Sequence, residues 1–199
     1  MSLWLRVRGV TTILTAFVLT LVGLSLPGSA ATATPSPAGA TLAAACFLAL
    51  AVPVAGGWGC SRGDAQLESV SVPPVRVLDL GLLVFTVTLT SVAALAMQQA
   101  GLALAGSVAG RDVLVYLGIM LVAYPLVGWR VATLAPAAYV LAVAVVGRGE
   151  DVVHPASWAW IAADGNDRSS WVLTVISLAV GISVYLTVRP RTIRSPGDA

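Results

Sequence analysis

Six long apolar runs, separated by short polar stretches, dominate the chain. They cover about residues 10–27, 40–56, 77–100, 113–127, 131–146 and 171–188. A helix that crosses the roughly 30 Å hydrocarbon core of a bilayer needs about 17 to 25 mostly apolar residues. The pattern therefore predicts an all-α polytopic membrane protein with six transmembrane helices, which form a single transmembrane domain over residues 1–199.

The first apolar run has two interpretations. Arg6 and Arg8 precede it, and small residues at 28–33 follow it, as they do around the cleavage site of a signal peptide. The apolar part of a signal peptide is usually about 7 to 15 residues long, and this run is longer. We expect a retained helix; if the run is cleaved as a signal peptide, five spans remain.

The arginines predict the orientation of the chain. If the N-terminus is cytoplasmic and six spans follow, the outer side holds Arg111, Arg148 and Arg168, and the cytoplasmic side holds the other eight of the eleven. Short cytoplasmic loops of membrane proteins carry an excess of basic residues. We therefore expect a multi-pass protein of a bacterial plasma membrane with both termini in the cytoplasm.

Composition supports the membrane class. The chain is 58% hydrophobic and 10% charged, whereas a soluble domain carries about 25% charged residues. Its net charge of +2 is too small to indicate a nucleic-acid partner. The basic residues are all arginine and the chain is rich in Ala, Gly, Val and Pro, which is typical of a bacterium with GC-rich coding.

Enzyme motifs are missing from the sequence. It contains no H-E-x-x-H and no G-x-S-x-G, and His154 has no second histidine with which to share a metal. Cys46 and Cys60 have no metal or redox spacing, and we expect them to be unpaired. A phosphate-binding loop is excluded because it needs a lysine. We expect no catalytic residue, cofactor or metal ligand, and any ATP that drives the protein must bind to another chain.

A few polar residues lie inside the predicted spans. Asp79 is the only ionisable residue clearly within one, and it follows Arg76 by three positions, so both lie on one helical face. The pair predicts an interfacial ion pair, with a proton or substrate site as the alternative. Thr86 and Thr90 lie four residues apart and either bond within or between helices or line a pathway.

Residues 149–170 form the one long polar stretch in the second half of the chain. Within it, residues 155–163 (PASWAWIAA) are apolar, and as a helix they would rise about 13 Å, too little to cross a bilayer. Trp158 and Trp160 suit the headgroup level, and Trp171 would mark the outer end of the last helix. The stretch predicts an outer interfacial hairpin.

Two connections are informative. Residues 57–76 form the longest cytoplasmic loop, and Arg62, Asp64 and Glu68 make it soluble. Residues 128–130 (GWR) join the fourth and fifth spans so tightly that we expect an antiparallel helical hairpin.

From Gly110 onward the chain resembles small actinobacterial membrane proteins that are regarded as permease subunits of type-2 ABC exporters. The similarity rests on GRDVL at 110–114, APAAY at 135–139, WAW at 158–160, AD at 163–164 and a final helix that ends in VRPR at 188–191.

The resemblance implies a permease-like subunit of an ABC-type export system that is powered by a separate ATPase chain. It also implies that Arg62, Asp64 and Glu68 contact this ATP-binding subunit and that the outer hairpin helps to close the exit. The expected partners are the lipid bilayer, the ATPase and further subunits in a homo- or hetero-oligomer. The nearly uncharged spans suit an amphipathic or lipid-like cargo.

Two other classes of function stay open. One is a non-transporting membrane partner, such as an immunity, sensory or anchoring protein. The other is an intramembrane enzyme, which would depend on Asp79 or His154 for turnover.

Overall fold

The computed structural model describes residues 8–26, 34–35, 41–42, 44–62, 75–103, 105–147 and 158–188. Their helices are α1 (Val10–Ser25), α2 (Ala44–Leu48), α3 (Ala51–Cys60), α4 (Val75–Gln99), α5 (Gly106–Ala132), α6 (Ala135–Val146) and α7 (Arg168–Thr187), with a 3₁₀ turn at Trp160–Ala162. β1 (Thr34–Pro35) and β2 (Thr41–Leu42) pair antiparallel over two residues each. The fold is therefore helical, as the sequence predicts.

Three of these helices are long and apolar enough to cross a membrane. They are α4, α5 and α7, with 25, 27 and 20 residues. The segments Val10–Ser25, Ala44–Cys60 and Ala135–Val146 are apolar but shorter.

Neighbouring helices alternate in direction along the first half of the chain. The side chain of Arg8, just before α1, donates to the carbonyl of Cys60 at the end of α3. At the other end of α1, Thr20 donates to the carbonyl of Leu48, 3.2 Å away. α1 and the α2–α3 segment therefore run antiparallel. α4 begins at the end of the bundle that holds Arg8.

The second half of the chain continues this arrangement. Gly106 and Gly110 of α5 pack on the backbone of Ala94 and Ser91 in α4, so these two helices are antiparallel. α5 and α7 run parallel, because Arg111 bonds Ser170 at one end and the ring of Tyr124 meets that of Tyr185 at the other. We call the two ends of the bundle the Arg8 end and the Arg111 end.

The helical backbone of α5 is broken at Gly128, four residues before the helix ends. Its φ of 74° and ψ of 168° interrupt the helix, in a region that glycine enters without the steric cost of a Cβ. Beyond it the chain returns along α5, because Thr133 and Met120 both pack against Gly57 of α3. The break lies where the sequence predicts a tight turn.

The backbones of α5 and α7 come into contact at Gly118 and Gly181. A Cβ on Gly181 would lie 2.6 Å from the carbonyl oxygen of Gly118, and one on Gly118 would lie 2.8 Å from Ser177. Small residues at such positions allow two helix backbones to come into contact. Around this contact lies the core of the bundle, which includes Val113, Leu117 and Leu121.

Candidate functional site

A buried ion pair closes the Arg8 end of the bundle. Arg8 Nη2 lies 2.8 Å from Asp79 Oδ2, and Arg8 Nε donates to Oδ1 at 2.9 Å. Arg8 is only 1% exposed and Asp79 3%. The carboxylate of Asp79 thus pairs with an arginine from outside its own helix, rather than with Arg76, the partner that the sequence predicts.

Arg76 instead connects α4 to the end of α7. Its Nη2 donates to the carbonyls of Tyr185 and Val188, and its guanidinium lies 5.0 Å from the centre of the Tyr185 ring. Tyr124 and Trp129 complete an aromatic cluster around that ring, with centroids 5.2 Å and 5.8 Å from it. Arg76 therefore stabilises the packing of α4 on α7.

A second ion pair lies inside the Arg111 end. Arg111 and Asp112 are both 0% exposed, and Arg111 Nε donates to Asp112 Oδ1 at 2.9 Å. The sequence places the start of this span at 113 and assigns Arg111 to an outer loop, but α5 already begins at Gly106. The expectation of a loop is wrong because the two neighbouring charges neutralise each other within the helix.

Arg111 binds the segment that precedes α7. We call residues 158–167 the cap. The guanidinium donates to the carbonyls of Ile161, Ala163 and Asp164 at 2.7, 3.0 and 3.2 Å and to Ser170 Oγ at 3.0 Å. One buried side chain of α5 therefore holds both the cap and the first turn of α7.

Asp112 has an unsatisfied oxygen in this site. Its Oδ2 is buried without a hydrogen-bond partner among the described residues, and the thiol of Cys46 lies beside the carboxyl group. One turn further along α5, Tyr116 donates to the carbonyl of Cys46 at 3.0 Å. The site is polar, closed and lined by residues from α2, α5 and the cap.

The cap contains little regular structure. Of the predicted apolar segment 155–163, the structure describes residues 158–163, which contain the 3₁₀ turn at Trp160–Ala162. Trp160 packs on Tyr139 of α6 with ring centroids 5.7 Å apart, and Tyr139 donates to the carbonyl of Trp158 at 2.7 Å. Trp171, in the first turn of α7, donates to the carbonyl of Gly165 at 2.9 Å. The three tryptophans of the predicted outer hairpin therefore lie together at the Arg111 end.

Other predicted site residues lie elsewhere. Thr86 and Thr90 bond carbonyls one turn earlier in α4, and Arg62 lies 4.8 Å from the ring centre of Trp58. Asp64, Glu68 and His154 lie outside the described residues, as does the junction at 28–33. Cys46 and Cys60 are buried and are not joined by a disulfide. Cys60 ends α3 instead of lying in a polar loop.

An apolar groove runs between α5 and α7 below the cap. Its volume is about 490 Å³. The α5–α7 groove is lined by Ile119, Val122, Ala123, Leu126, Trp160, Leu173, Ile176, Ser177 and Val180. Trp160 thus belongs both to the cap and to the wall of the groove, and its indole Nε1 is buried without a hydrogen-bond partner among the described residues.

No protein-family model, curated protein or solved structure matches the chain. Among the residues that the structure describes, no three His, Cys, Asp or Glu side chains lie close enough to hold a metal ion.

Sequence reasoning missed Arg8 and Arg111, the two arginines that organise the ends of the bundle. Two signals were available for Arg111. It is followed directly by a residue of opposite charge, and Gly106 and Gly110 precede it at the four-residue spacing of a helix–helix contact. No comparable local signal marks Arg8, because its partner lies 71 positions away.

Proposed function

We propose that the chain crosses a bacterial plasma membrane six times and acts as a permease-like subunit of an ABC-type export system. A separate ATPase chain powers it, and amphipathic or lipid-like molecules are its cargo. The six segments of alternating direction support this architecture. Three have the length of a span.

The three shorter segments fit the same architecture. Residues 44–60 contain α2 and α3, and residues 129–146 contain the end of α5 and all of α6. At about 1.5 Å per residue, these segments of 17 and 18 residues rise about 25 to 27 Å, close to the roughly 30 Å of the hydrocarbon core. α1 has 16 residues, and Gly9 and Leu26 lengthen this segment by one residue at each end.

The distribution of arginine supports a cytoplasmic Arg8 end. Of the described arginines, Arg8, Arg62, Arg76 and Arg130 lie toward this end, and Arg111 and Arg168 lie toward the other. An excess of basic residues is typical of the cytoplasmic side. The cap then lies on the outer side, where the resemblance to exporters puts a segment that helps to close the exit.

The observation that carries the proposal is the attachment of the cap to α5 by Arg111. A buried cation that holds three carbonyls of a surface segment makes that segment follow any movement of α5. Intramembrane ionisable residues most often mark a functional site, because burial of a charge in the bilayer is costly. We therefore assign the cap the role of an outer gate that α5 controls.

Co-purification tests the proposal. The chain is expressed with its genomic neighbours and extracted in mild detergent, and we expect an ATP-binding subunit to remain bound. Charge reversal at Arg62 and Glu68 should release this subunit, whereas Arg168→Glu at the opposite end should not. A chain that purifies alone, with no neighbour that binds ATP, would contradict the proposal.

A non-transporting membrane partner, such as an immunity, sensory or anchoring protein, is the second candidate. The observation that favours it is the burial of both ion pairs, which lie at opposite ends of the bundle and whose four members are each 3% exposed or less. Such an arrangement suits a rigid scaffold. This candidate leads if ATP and the neighbouring gene products leave the behaviour of the purified chain unchanged.

A further inference from the structure

One side of α3 changes from apolar to aromatic to cationic along the helix. We call this surface the α3 face; it consists of Ala51, Val54, Ala55, Trp58 and Arg62, which follow one another at helical spacing. Its side chains are exposed or half-buried, and Trp58 is 52% accessible. From Ala51 to Trp58 the helix rises about 10 Å. The α3 face therefore presents aliphatic groups, an aromatic ring and a positive charge in that order.

The positive charge of the α3 face is held in place but is not neutralised. The guanidinium of Arg62 lies over the ring of Trp58, 4.8 Å from its centre, and a Cβ on Gly9 at the start of α1 would lie 3.2 Å from Arg62 Nη1. Of the acids that the structure describes, Asp79 lies at this end of the bundle, and Arg8 engages both of its carboxylate oxygens. Arg62 has no ion-pair partner among the described residues.

A second exposed arginine lies beside the α3 face. Thr133 packs on Gly57, the residue before Trp58, and its Cγ2 is 2.6 Å from the place that a Cβ of Gly57 would take. Thr133 Oγ1 donates to the carbonyl of Arg130 at 2.8 Å. Arg130 is exposed and also has no ion-pair partner in the described part of the chain. This end of the bundle therefore carries an excess of accessible positive charge.

We propose that the α3 face binds one anionic phospholipid, with the lipid phosphate on Arg62 and an acyl chain along Ala51 and Ala55. The inference rests on the membrane placement proposed above and does not depend on transport. The order of side chains matches one leaflet of a bilayer, in which hydrocarbon gives way to an interface enriched in tryptophan and then to charged headgroups. A guanidinium suits a phosphate group, and Arg130 favours a lipid with a net negative charge.

An acidic protein segment fits the α3 face less well. Such a segment would neutralise Arg62 and Arg130, but it would lie in water and leave the apolar part of the face uncovered. A phospholipid satisfies both parts, because its phosphate and its acyl chains belong to one molecule. The half-exposed ring of Trp58 then lies at the boundary between them.

Native mass spectrometry of the full-length chain, purified without a partner and stripped of lipid, tests the inference. The chain is titrated with phosphatidylglycerol or with phosphatidylcholine of the same acyl chains. We expect one molecule of phosphatidylglycerol to bind in preference to phosphatidylcholine. Arg62→Gln should weaken the binding of phosphatidylglycerol about fivefold, the effect of one arginine near an anionic headgroup. Trp58→Leu should weaken it about two- to fivefold, because Arg62 loses the ring that orients it.

Matched substitutions at the opposite end of the bundle are the controls. Arg168→Gln removes an exposed arginine at the start of α7, and Trp158→Leu removes an exposed tryptophan of the cap. Neither should change the affinity for phosphatidylglycerol. The four substituted side chains are exposed, so we expect each variant to fold, and its thermal midpoint in detergent checks this.

The outcomes also distinguish this inference from the proposed function. Equal affinity for the two lipids, or equal losses with Arg62→Gln and Arg168→Gln, overturns the lipid site. Displacement of the lipid by an equal concentration of glycerol 3-phosphate overturns it too, because a free phosphate then suffices. If Arg62→Gln releases an ATP-binding subunit but leaves lipid binding unchanged, the lipid site fails and the export function stands. Selective lipid binding by a chain without an ATP-binding partner supports the lipid site while the export function fails.

Discussion

Arg8 and Asp79 form a bidentate ion pair with both oxygens of the carboxylate engaged, at 2.8 and 2.9 Å, although 71 positions separate them in the sequence. The pair links the residues just before α1 to the first turns of α4, and Arg8 also bonds the carbonyl of Cys60 at the end of α3. Three segments that are distant in the chain thus meet at one guanidinium.

Neutralising one member of this pair should destabilise the fold strongly. Asp79→Asn removes the carboxylate that pairs with the buried guanidinium of Arg8, and breaking a buried pair in this way costs about 3 to 5 kcal/mol. We expect a large drop in the thermal midpoint of the detergent-solubilised protein. The double variant Arg8→Met, Asp79→Leu should recover most of the loss, because it leaves no charge behind.

Asp164→Asn is the matched control, since Asp164 is exposed in the cap. It should leave the thermal midpoint unchanged. Equal losses for Asp79→Asn and Asp164→Asn would contradict a special role for the buried pair.

The same contact predicts that the first helix is retained. Cleavage after the first apolar run would remove Arg8 and leave the carboxylate of Asp79 buried without that arginine. We expect intact mass spectrometry of the membrane-extracted protein to give a chain that still contains α1. A mature N-terminus within residues 28–34 would contradict this expectation.

Removal of the ion pair at the Arg111 end should loosen the cap. The variant Arg111→Met, Asp112→Leu eliminates both charges, so it leaves none buried alone, but the carbonyls of Ile161 and Ala163 lose their donor. With Cys60 replaced by alanine in both proteins, we expect a water-soluble maleimide to label Cys46 about tenfold faster in this variant than in the native chain. The ratio corresponds to a free energy of local opening that is about 1.4 kcal/mol lower.

Arg168→Met is the control for this experiment, because Arg168 lies at the same end of the bundle but is exposed. Labelling of Cys46 should then remain slow. If the double variant also labels slowly, Arg111 does not hold the cap in place.

The contact between α5 and α7 should tolerate no added side chain. Gly181→Val places carbon atoms against the backbone of Gly118, where a single Cβ already comes within 2.6 Å of the carbonyl oxygen. We expect a loss of about 1 to 3 kcal/mol, as is typical of overpacking, measured by thermal denaturation in detergent. Gly81→Ala in α4 is the control: a Cβ there has no atom within 4 Å, and alanine favours the helix.

The start of α7 should weaken in acid. The carboxylate of Asp167 accepts hydrogen bonds from Ser169 and Ser170, and these bonds hold the pKa of Asp167 below its usual value of 3.8. A group with a lowered pKa in the folded state stabilises the fold above its unfolded pKa and loses that contribution as the pH falls through the folded pKa.

We therefore expect the stability difference between the native chain and Asp167→Ala to be constant at neutral pH and to shrink below about pH 4. Asp167→Asn keeps a capping side chain that does not titrate, so its difference from Asp167→Ala should not change with pH. Thermal midpoints at several pH values provide the measurement. A difference in thermal midpoint between the native chain and Asp167→Ala that does not change with pH would contradict the role of the hydrogen bonds from Ser169 and Ser170 to the Asp167 carboxylate.

Hydropathy alone predicts much of the helical layout. α4 and α7 begin and end within about three residues of the predicted spans, because their apolar runs are long and bounded by polar residues. α5 begins earlier than predicted, because a hydropathy scale counts the burial of Arg111 and the burial of Asp112 as two separate free-energy penalties. Their mutual neutralisation is a property of the pair, and a single-residue scale does not contain it.

The candidate site was harder to predict for a physical reason. The tryptophans of the cap stand out by residue type, and their location at one end of the bundle follows from the lengths of the spans. Which arginine binds the cap depends on how α5 packs beside α7, and that depends on Gly118 and Gly181. The pairing of Asp79 with Arg8 rather than Arg76 likewise depends on the arrival of α1 and α3 at the same end.

The two ion pairs differ in when each can form during synthesis. Arg111 and Asp112 are adjacent, so their ion pair can form as soon as the first turns of α5 form. Asp79 meets Arg8 only after α4 has been synthesised, because 71 positions separate the two residues. The pair at the Arg111 end is therefore made within one helix, whereas the pair at the Arg8 end requires segments that are distant in the chain to assemble first.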